Sequence, residues 1–490
     1  MEKNTNNQQL KKQLNPINVW AIAFGCIIGW GSFVNPGKKF LPNSGVAGTS
    51  IAMILGAIVM IIIAFSYAYM VPKYPRAGGE YTFTKECFGG KTATCCGWFL
   101  IAAYLTNVPM NSTAIGLIVD GLDGSADILR FGFHYTIAGF QVYFGEILLA
   151  SAILVLFAIL NIWGVKKAAI VQTVLSGLLV LSVFTLAIAA VFSSKAQLEN
   201  AAPIWGFDKA AAMQAGATTQ NIGQFAHTGT KGIISAVLAT FAIAPWAYVG
   251  FDTIPQAAEE FKFSYHKVIG IMIVAIVFGC FVYTSNNLVA AIALQNWPDR
   301  VMAGEWVLLV AAEEMLGVFG KTLVGTAVSC AVLSGMMGFY LASSRLLYSM
   351  ANDGCMPQIF GKVDEKSGTP RNAILFCMII SLSGPILGRE ALGWFVDMSA
   401  IGASMGYFFT CASTLKKMNQ CGDHSAPIKA LAVIGVGFSV MFMVLQLVPI
   451  PGLEGVHFGK ESYLLLLAWI LIGLFLGAIC KGGQGKAPRC

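Results

Sequence analysis

Charge is what this chain has least of. Of its 490 residues only 11% are Asp, Glu, Lys or Arg while 56% are hydrophobic, and soluble domains carry roughly a quarter charged residues. That scarcity excludes a water-soluble globule of this length. Histidine is rarer still, at five residues, and none pairs with another at helical spacing. The 12 cysteines form no CxxC pair and no cluster with histidines at metal-ligand spacing, so neither a zinc site nor a disulfide framework is written here. They fall singly or as Cys95-Cys96 inside apolar stretches, where they read as small buried hydrophobes. No phosphate-cradling loop and no Ser-His-Asp arrangement is present, which leaves the common enzymatic chemistries and cofactors without their residues.

What is there is apolar sequence in long runs. Nearly uncharged stretches of about 18 to 25 residues recur from Val19 to Cys480, each able to cross a hydrocarbon core of roughly 30 Å as a helix. They segment as about 19–42, 46–71, 93–118, 144–163, 169–192, 233–258, 268–294, 321–349, 373–388, 391–413, 428–448 and 462–480. The expected fold is therefore an all-α membrane protein of twelve transmembrane helices. One membrane domain, about 19–480, lies between a polar N-terminal tail, 1–18, and a C-terminal tail, 481–490. The first run lacks a small-residue cleavage site and reads as a retained helix, not a signal peptide. With the N-terminus inside, 21 of the 31 lysines and arginines fall on the cytoplasmic side, as the positive-inside rule requires. Both tails are then cytoplasmic, and the net charge of +7 needs no nucleic-acid partner.

Two of the twelve runs are interrupted. The first carries Gly29-Trp30-Gly31-Ser32 and then Pro36-Gly37; the sixth carries Pro245 and Gly250 around Trp246-Ala247-Tyr248-Val249. Freed backbone groups are tolerated at membrane depth only where they line a cavity, so a matched pair of breaks points to a substrate site. The blander reading is close packing and simple kinks. Short echoes strengthen the correspondence: Ala77-Gly78-Gly79-Glu80-Tyr81 returns as Met302-Ala303-Gly304-Glu305-Trp306, and Gly90-Lys91-Thr92 as Gly320-Lys321-Thr322. Each echo lies between the second and third helices of its half, on opposite sides of the expected membrane. Two five-helix repeats, about 19–192 and 233–413, are then inverted relative to one another, with helices 11 and 12, about 428–480, appended.

These residues resemble the amino acid–polyamine–organocation permeases, which have the leucine-transporter fold. The first-helix pattern matches Ile27-Ile28-Gly29-Trp30-Gly31-Ser32-Phe33-Val34-Asn35-Pro36-Gly37, and the second-helix exit matches Tyr74-Pro75-Arg76-Ala77-Gly78-Gly79-Glu80-Tyr81. The sixth helix matches from Trp246 to Asp252 with Glu259-Glu260, the eighth-helix exit from Ser344-Arg345 to Pro357, and the tenth helix at Ser399-Ala400-Ile401-Gly402. The resemblance implies a secondary active transporter, symporter or exchanger, of L-amino acids by alternating access in the plasma (inner) membrane. A polyamine or other small organic amine is the alternative cargo, and a non-transporting sensor on the same fold the alternative function.

In that reading the N–H groups after the first break, at Gly29, Trp30, Gly31 and Ser32, receive a substrate carboxylate. The Ile27 carbonyl and those from Ala244 through Trp246 and Tyr248 to Val249 receive an ammonium group. The resemblance further implies that Trp246 closes over the substrate, that Phe339 walls the pocket, and that Asn107 makes a polar contact. Ordinary helix packing, and an interhelical hydrogen bond for Asn107, are the competing readings. Asp252, a carboxylate inside a helix, is a candidate proton acceptor or organiser of the break. Trp246 would also gate, and Ser334 would serve a coupling cation, so the coupling ion is H+ or Na+. Asp397 reads as a vestibule residue, and Glu259 or Glu260 as a salt-bridge partner of Arg345 or a loop lysine.

Two departures stand out. Trp30 replaces a small residue between the glycines, placing a bulky ring beside the carboxylate cradle. After Val171-Gln172 no lysine follows through Phe192, so coupling by a fifth-helix ammonium is absent. Residues 119–143 also contain no cysteine, which argues against a covalent heavy-chain partner; membrane lipid and the small-molecule substrate are the expected contacts.

Overall fold

A computed structural model describes residues 10–123, 128–450 and 456–479. The C-terminal tail 481–490 and the first half of the N-terminal tail lie outside those residues. Chain order begins with α1 (Pro16–Ile27), capped by Asn15, whose side chain accepts from the Asn18 N–H at 2.9 Å; proline at the first helical position suits that start. Then come α2 (Gly31–Asn35), which runs through a widened turn at Pro36–Phe40 into α3 (Leu41–Met70), α4 (Gly79–Phe88), α5 (Gly90–Leu105), α6 (Asn107–Asp123), α7 (Phe144–Ile162) and α8 (Val165–Phe192). A long connection holding α9 (Lys209–Gln214) leads to α10 (Gly229–Phe241) and α11 (Ala244–Tyr248). Two tight turns, Phe251–Thr253 and Pro255–Glu260, precede α12 (Val268–Ile292), α13 (Trp297–Met302), α14 (Val307–Leu316) and α15 (Val318–Asn352). The rest is α16 (Arg371–Ser381), α17 (Ser383–Leu387), α18 (Ala391–Cys421), α19 (Ala426–Leu447) and α20 (Lys460–Ile479).

Among the described residues, seven helical stretches are long and apolar enough to cross a membrane: Gly31–Met70, Gly90–Leu122, Phe144–Ile162, Val165–Phe192, Tyr265–Ile292, Val318–Asn352 and Ala426–Leu447. Of three shorter apolar helical stretches, Pro16–Ile27 and Gly229–Phe241 belong to the two interrupted runs, and Arg371–Leu387 is the third. The all-helical expectation is amended at residues 134–143. There β1 (His134–Ile137) and β2 (Phe140–Tyr143) form an antiparallel hairpin with His134 opposite Tyr143. Its two-residue turn, Ala138-Gly139, has φ of 50° and 88°, the left-handed pair that matches strand twist.

The helices are apolar outside and mixed inside. Along α8, Ile170, Val174, Leu178, Leu181, Ile188 and Val191 face outward, whereas Gln172, Ser176 and Ser182 are buried. A water-soluble helix has the opposite arrangement. Helix α1 sits at the centre, packed by α8, α12 and α15. Small residues permit that approach: Gly25 faces Ser334 and Gln172, and Gly338 faces Cys26.

Candidate functional site

The backbone opens where glycine and proline lead one to expect. Helix α1 ends at Ile27; the next bond closing onto the gap runs from the Ser32 N–H to the Gly29 carbonyl at 3.3 Å, beside the Ser32 hydroxyl bond to the same oxygen at 3.0 Å. In the sixth run, α11 ends at Tyr248 and Gly250 takes φ 140°. The two gaps touch. A Cβ on Gly250 would stand 2.6 Å from the Ile27 nitrogen and 2.9 Å from the Ala23 carbonyl oxygen, so only glycine lets these backbones meet.

Of the expected side chains, Trp246 and Trp30 meet at the first gap, and the others have different partners than sequence assigned. The Trp246 ring lies on Gly31, where a Cβ would run into its outer carbons. Trp30 turns inward, 6% exposed, with its ring 6.3 Å from that of Trp246. The Tyr248 hydroxyl donates to the Met53 carbonyl at 2.7 Å, while Ala244 and Val249 are buried. Phe339 is buried with its ring 6.3 Å from Tyr104. The Asn107 amide is engaged by the Ala103 carbonyl and the Ser399 hydroxyl, at 2.6 and 2.7 Å. One turn on, Asn111 is the nearer neighbour of Gly29, and its Oδ1 is buried without a partner among the described residues. Ser334 donates to the Ala331 carbonyl at 3.0 Å and faces the Gly25 carbonyl at 3.5 Å.

Sequence reasoning missed the braces on α12. The Tyr283 hydroxyl approaches the Ile27 carbonyl at 3.3 Å, and the Asn286 amide donates to the Ser32 carbonyl at 3.0 Å. These residues stand one helical turn apart and hold the two lips of the first break. Tyr and Asn spaced i, i+3 in an apolar helix were the available signal. Where a lysine is lacking on α8, Gln172 and Ser176 both donate to the Ala21 carbonyl at 3.0 Å. A neutral amide and a hydroxyl thus occupy that carbonyl.

Asp252 is wholly buried and organises the second break. Its Oδ1 accepts the Gly250 N–H at 2.6 Å, and its Oδ2 accepts the Tyr104 hydroxyl at 3.0 Å. Beyond Tyr104 stands Glu80, also fully buried, whose Oε1 accepts from Tyr67 at 2.7 Å and whose Oε2 accepts from Gln256 at 2.7 Å. Glu80 reaches this place because Gly78 and Gly79, at φ 99° and 43°, turn the chain into α4 directly beside the second break.

At that same end the fold is tied shut. Glu260 pairs with Arg345 at 2.8 Å, both side chains 1% exposed, which fulfils the salt-bridge expectation for this acid pair. Glu259 instead accepts the Ala77 N–H at 3.1 Å. The N-terminal tail lies across the pair: the Gln13 and Leu14 N–H groups donate to the Glu260 carbonyl at 2.8 and 2.9 Å, and the Lys262 N–H returns to Leu14 at 2.9 Å. At the opposite end of α18, Asp397 accepts the Ser462 hydroxyl at 2.6 Å.

A family model described as amino acid permease matches residues 14–475. The large neutral amino acids transporter small subunit 2 of Homo sapiens is 26% identical over 374 residues, covering 76% of this chain and 64% of that protein. Asc-type amino acid transporter 1 of Mus musculus is 26% identical over 375 residues, covering 75% and 63%. The vacuolar cationic amino acid transporter 4 of Arabidopsis thaliana is 23% identical over 403 residues, covering 81% and 61%. The chain thus spans just under two thirds of the length of these relatives.

Proposed function

Because the chain belongs to the amino acid permease family, we propose that it is a secondary active transporter, symporter or exchanger, that carries L-amino acids across a membrane by alternating access and catalyses no reaction. The observation that carries this reading is the meeting of the two breaks, Gly250 against Ile27 with Trp246 over Gly31. A zwitterionic head group needs donors and acceptors within a few ångströms of each other, and two broken helices supply both from backbone alone. The relatives are named for neutral and cationic amino acids, which supports an amino acid over a polyamine.

Ile27, Gly29, Trp30, Gly31, Ser32, Asn107, Ala244, Trp246, Tyr248, Val249 and Phe339 form the substrate site in this reading. The carboxylate takes the N–H groups of Gly29 to Ser32. The ammonium takes the Ile27 carbonyl, from which the Tyr283 hydroxyl must withdraw. Trp246 swings off Gly31 to admit the head group and returns to close it in, so the ring gates as well as binds. Asp252 carries the coupling proton; Ser334 with the Gly25 carbonyl is the alternative station for Na+.

The architecture we propose is twelve crossings in one membrane domain, both tails in the cytoplasm of a plasma-membrane protein, with inverted five-helix repeats. The ten-residue helices α4 and α14 support the repeat: each ends on a glycine, Gly89 or Gly317, and leads into a long helix. Each also braces the other repeat's broken helix. Gly79 at the start of α4 lies on Gln256, while Trp306 at the start of α14 donates to the Phe33 carbonyl at 2.8 Å.

Purified protein in liposomes, offered labelled amino acids and polyamines, tests the function: accumulation or exchange of an amino acid is expected, and binding without flux would instead mark a sensor. Asp252→Asn tests the coupling, since it keeps shape but cannot titrate. The variant should bind substrate with a flattened pH profile of flux; an unchanged profile would make the carboxylate structural.

A further inference from the structure

Two carboxylates, Glu80 and Asp252, face one hydroxyl in a fully buried cluster, and its single hydrogen cannot serve both. Tyr104 has a single hydroxyl hydrogen. It faces Asp252 Oδ2 at 3.0 Å, the Asp252 carbonyl at 3.2 Å and Glu80 Oε1 at 3.3 Å. The neighbouring donors serve the same two acids but do not enter the contacts with Tyr104: Tyr67 donates to Glu80 Oε1, Gln256 to Glu80 Oε2 and the Gly250 N–H to Asp252 Oδ1. The second Gln256 hydrogen only reaches the Tyr104 oxygen, at 3.5 Å. With both acids ionised, one carboxylate oxygen would meet the Tyr104 oxygen with no hydrogen between them. An oxygen–oxygen contact with no hydrogen in it is repulsive, and two like charges buried side by side are costlier still.

No cation relieves them. Among the described residues, neither acid belongs to any ion pair, whereas Glu260 nearby has Arg345. The other titratable groups facing the cluster are neutral in kind: Cys26 on α1 beside Asp252, Cys96 on α5 beside Glu80, Tyr67 on α3 and Tyr407 on α18. Tyr407 adds an independent sign of an incomplete count. Its hydroxyl is fully buried within electrostatic reach of both acids, yet has no partner among the described residues, as does Gln256 Oε1.

We propose that Glu80 and Asp252 form one proton-binding site, holding a single proton between them through Tyr104. With the proton on Glu80, its O–H donates to Tyr104 and Tyr104 donates to Asp252. With the proton on Asp252, both bonds reverse. Passage between the states moves two hydrogens by one bond each, Glu80 to the Tyr104 oxygen and Tyr104 to Asp252 Oδ2, and leaves Tyr104 neutral. Because Asp252 also grips the Gly250 N–H, the state of the shared proton sets how firmly the second helix break is held. Glu80 is thus the partner that lets Asp252 be charged while the cluster stays protonated. This deepens the coupling role given to Asp252 above and rests on that reading for its purpose, but not for its detection.

The test is infrared spectroscopy of the purified, substrate-free protein, reading the carbonyl stretch of a protonated buried carboxylic acid across pH. The wild type should show such a band at neutral pH and lose it on alkaline titration in a single step. Glu80→Gln and Asp252→Asn should each abolish it at neutral pH, because one acid alone, well supplied with donors, ionises. Tyr104→Phe keeps both acids, so the band should persist with an altered frequency, and it serves if either acid variant fails to fold. A wild type without the band, or a band unchanged in all three variants, would overturn the shared proton. Loss of amino acid flux at every pH with these spectra intact would sink the transport reading and leave the proton site standing.

Discussion

Tyr283 shows how much a single hydroxyl can matter when it stands at the edge of a helix break. It is the described side chain that reaches the Ile27 carbonyl, so it competes with an incoming ammonium and also keeps that carbonyl turned inward. A neutral hydrogen bond contributes about 0.5–1.5 kcal/mol net, and its loss should move affinity by roughly threefold to tenfold. Tyr283→Phe should therefore change substrate Kd by that margin in equilibrium binding while melting temperature stays nearly constant. An unchanged Kd would detach Tyr283 from the site. The residues that sequence did point to, Trp246, Gly31 and Asp252, were legible because each breaks a local rule: a ring, a gap or a charge where lipid-spanning helix is otherwise continuous. Glu80 and Asn111 break no such rule, and Tyr283 and Asn286 leave only a polar pair one turn apart in an apolar helix. Their placement follows from which helices pack together, and nothing local in one chain encodes that.

At the scale of the helix, the two breaks are one structure more than two. Gly250 is held at a φ open to glycine and lies on the backbone of α1, so a side chain there is refused twice, by strain and by contact. Gly250→Ala should lower stability by about 1–3 kcal/mol from the backbone conformation alone, with more from displaced α1. The expected result is a clear fall in melting temperature together with lost substrate binding; normal binding at normal stability would show that the gaps need not touch. Helices were read from sequence nearly to the residue at α7, expected at 144–163 and found at Phe144–Ile162, because hydrocarbon leaves the backbone no other way to pair its polar groups. The hairpin at 134–143 and α14 escaped notice. Both lie in connections, where water satisfies the backbone and a ten-residue stretch carries little periodic signal.

Taken whole, the molecule is closed at the end where Glu260, Arg345 and the tail meet. Removing one member of a buried ion pair strands the other charge and costs about 3–5 kcal/mol. Glu260→Gln should therefore reduce melting temperature strongly, and a Glu260→Met/Arg345→Met double variant should recover much of it; equal destabilisation by both would mean that the pair contributes packing and not charge. Topology is tested with cysteines at positions 85 and 460 and an impermeant reagent on intact cells. Position 460 should react and position 85 should not, and labelling at 85 would invert the proposed orientation.

The tail that crosses Glu260 is attached by backbone hydrogen bonds at Gln13, Leu14 and Lys262 and by the buried side chains of Leu10 and Leu14. Such a seam joins a backbone register that any extended strand can supply to two leucine anchors that select which strand fits. The tether keeps that strand at an effective concentration in the millimolar range, far above any free peptide in a cell. Opening of this end is then a contest with a permanently supplied competitor. Excising residues 10–14 withdraws the competitor without touching the substrate site, and turnover should quicken while affinity stays put.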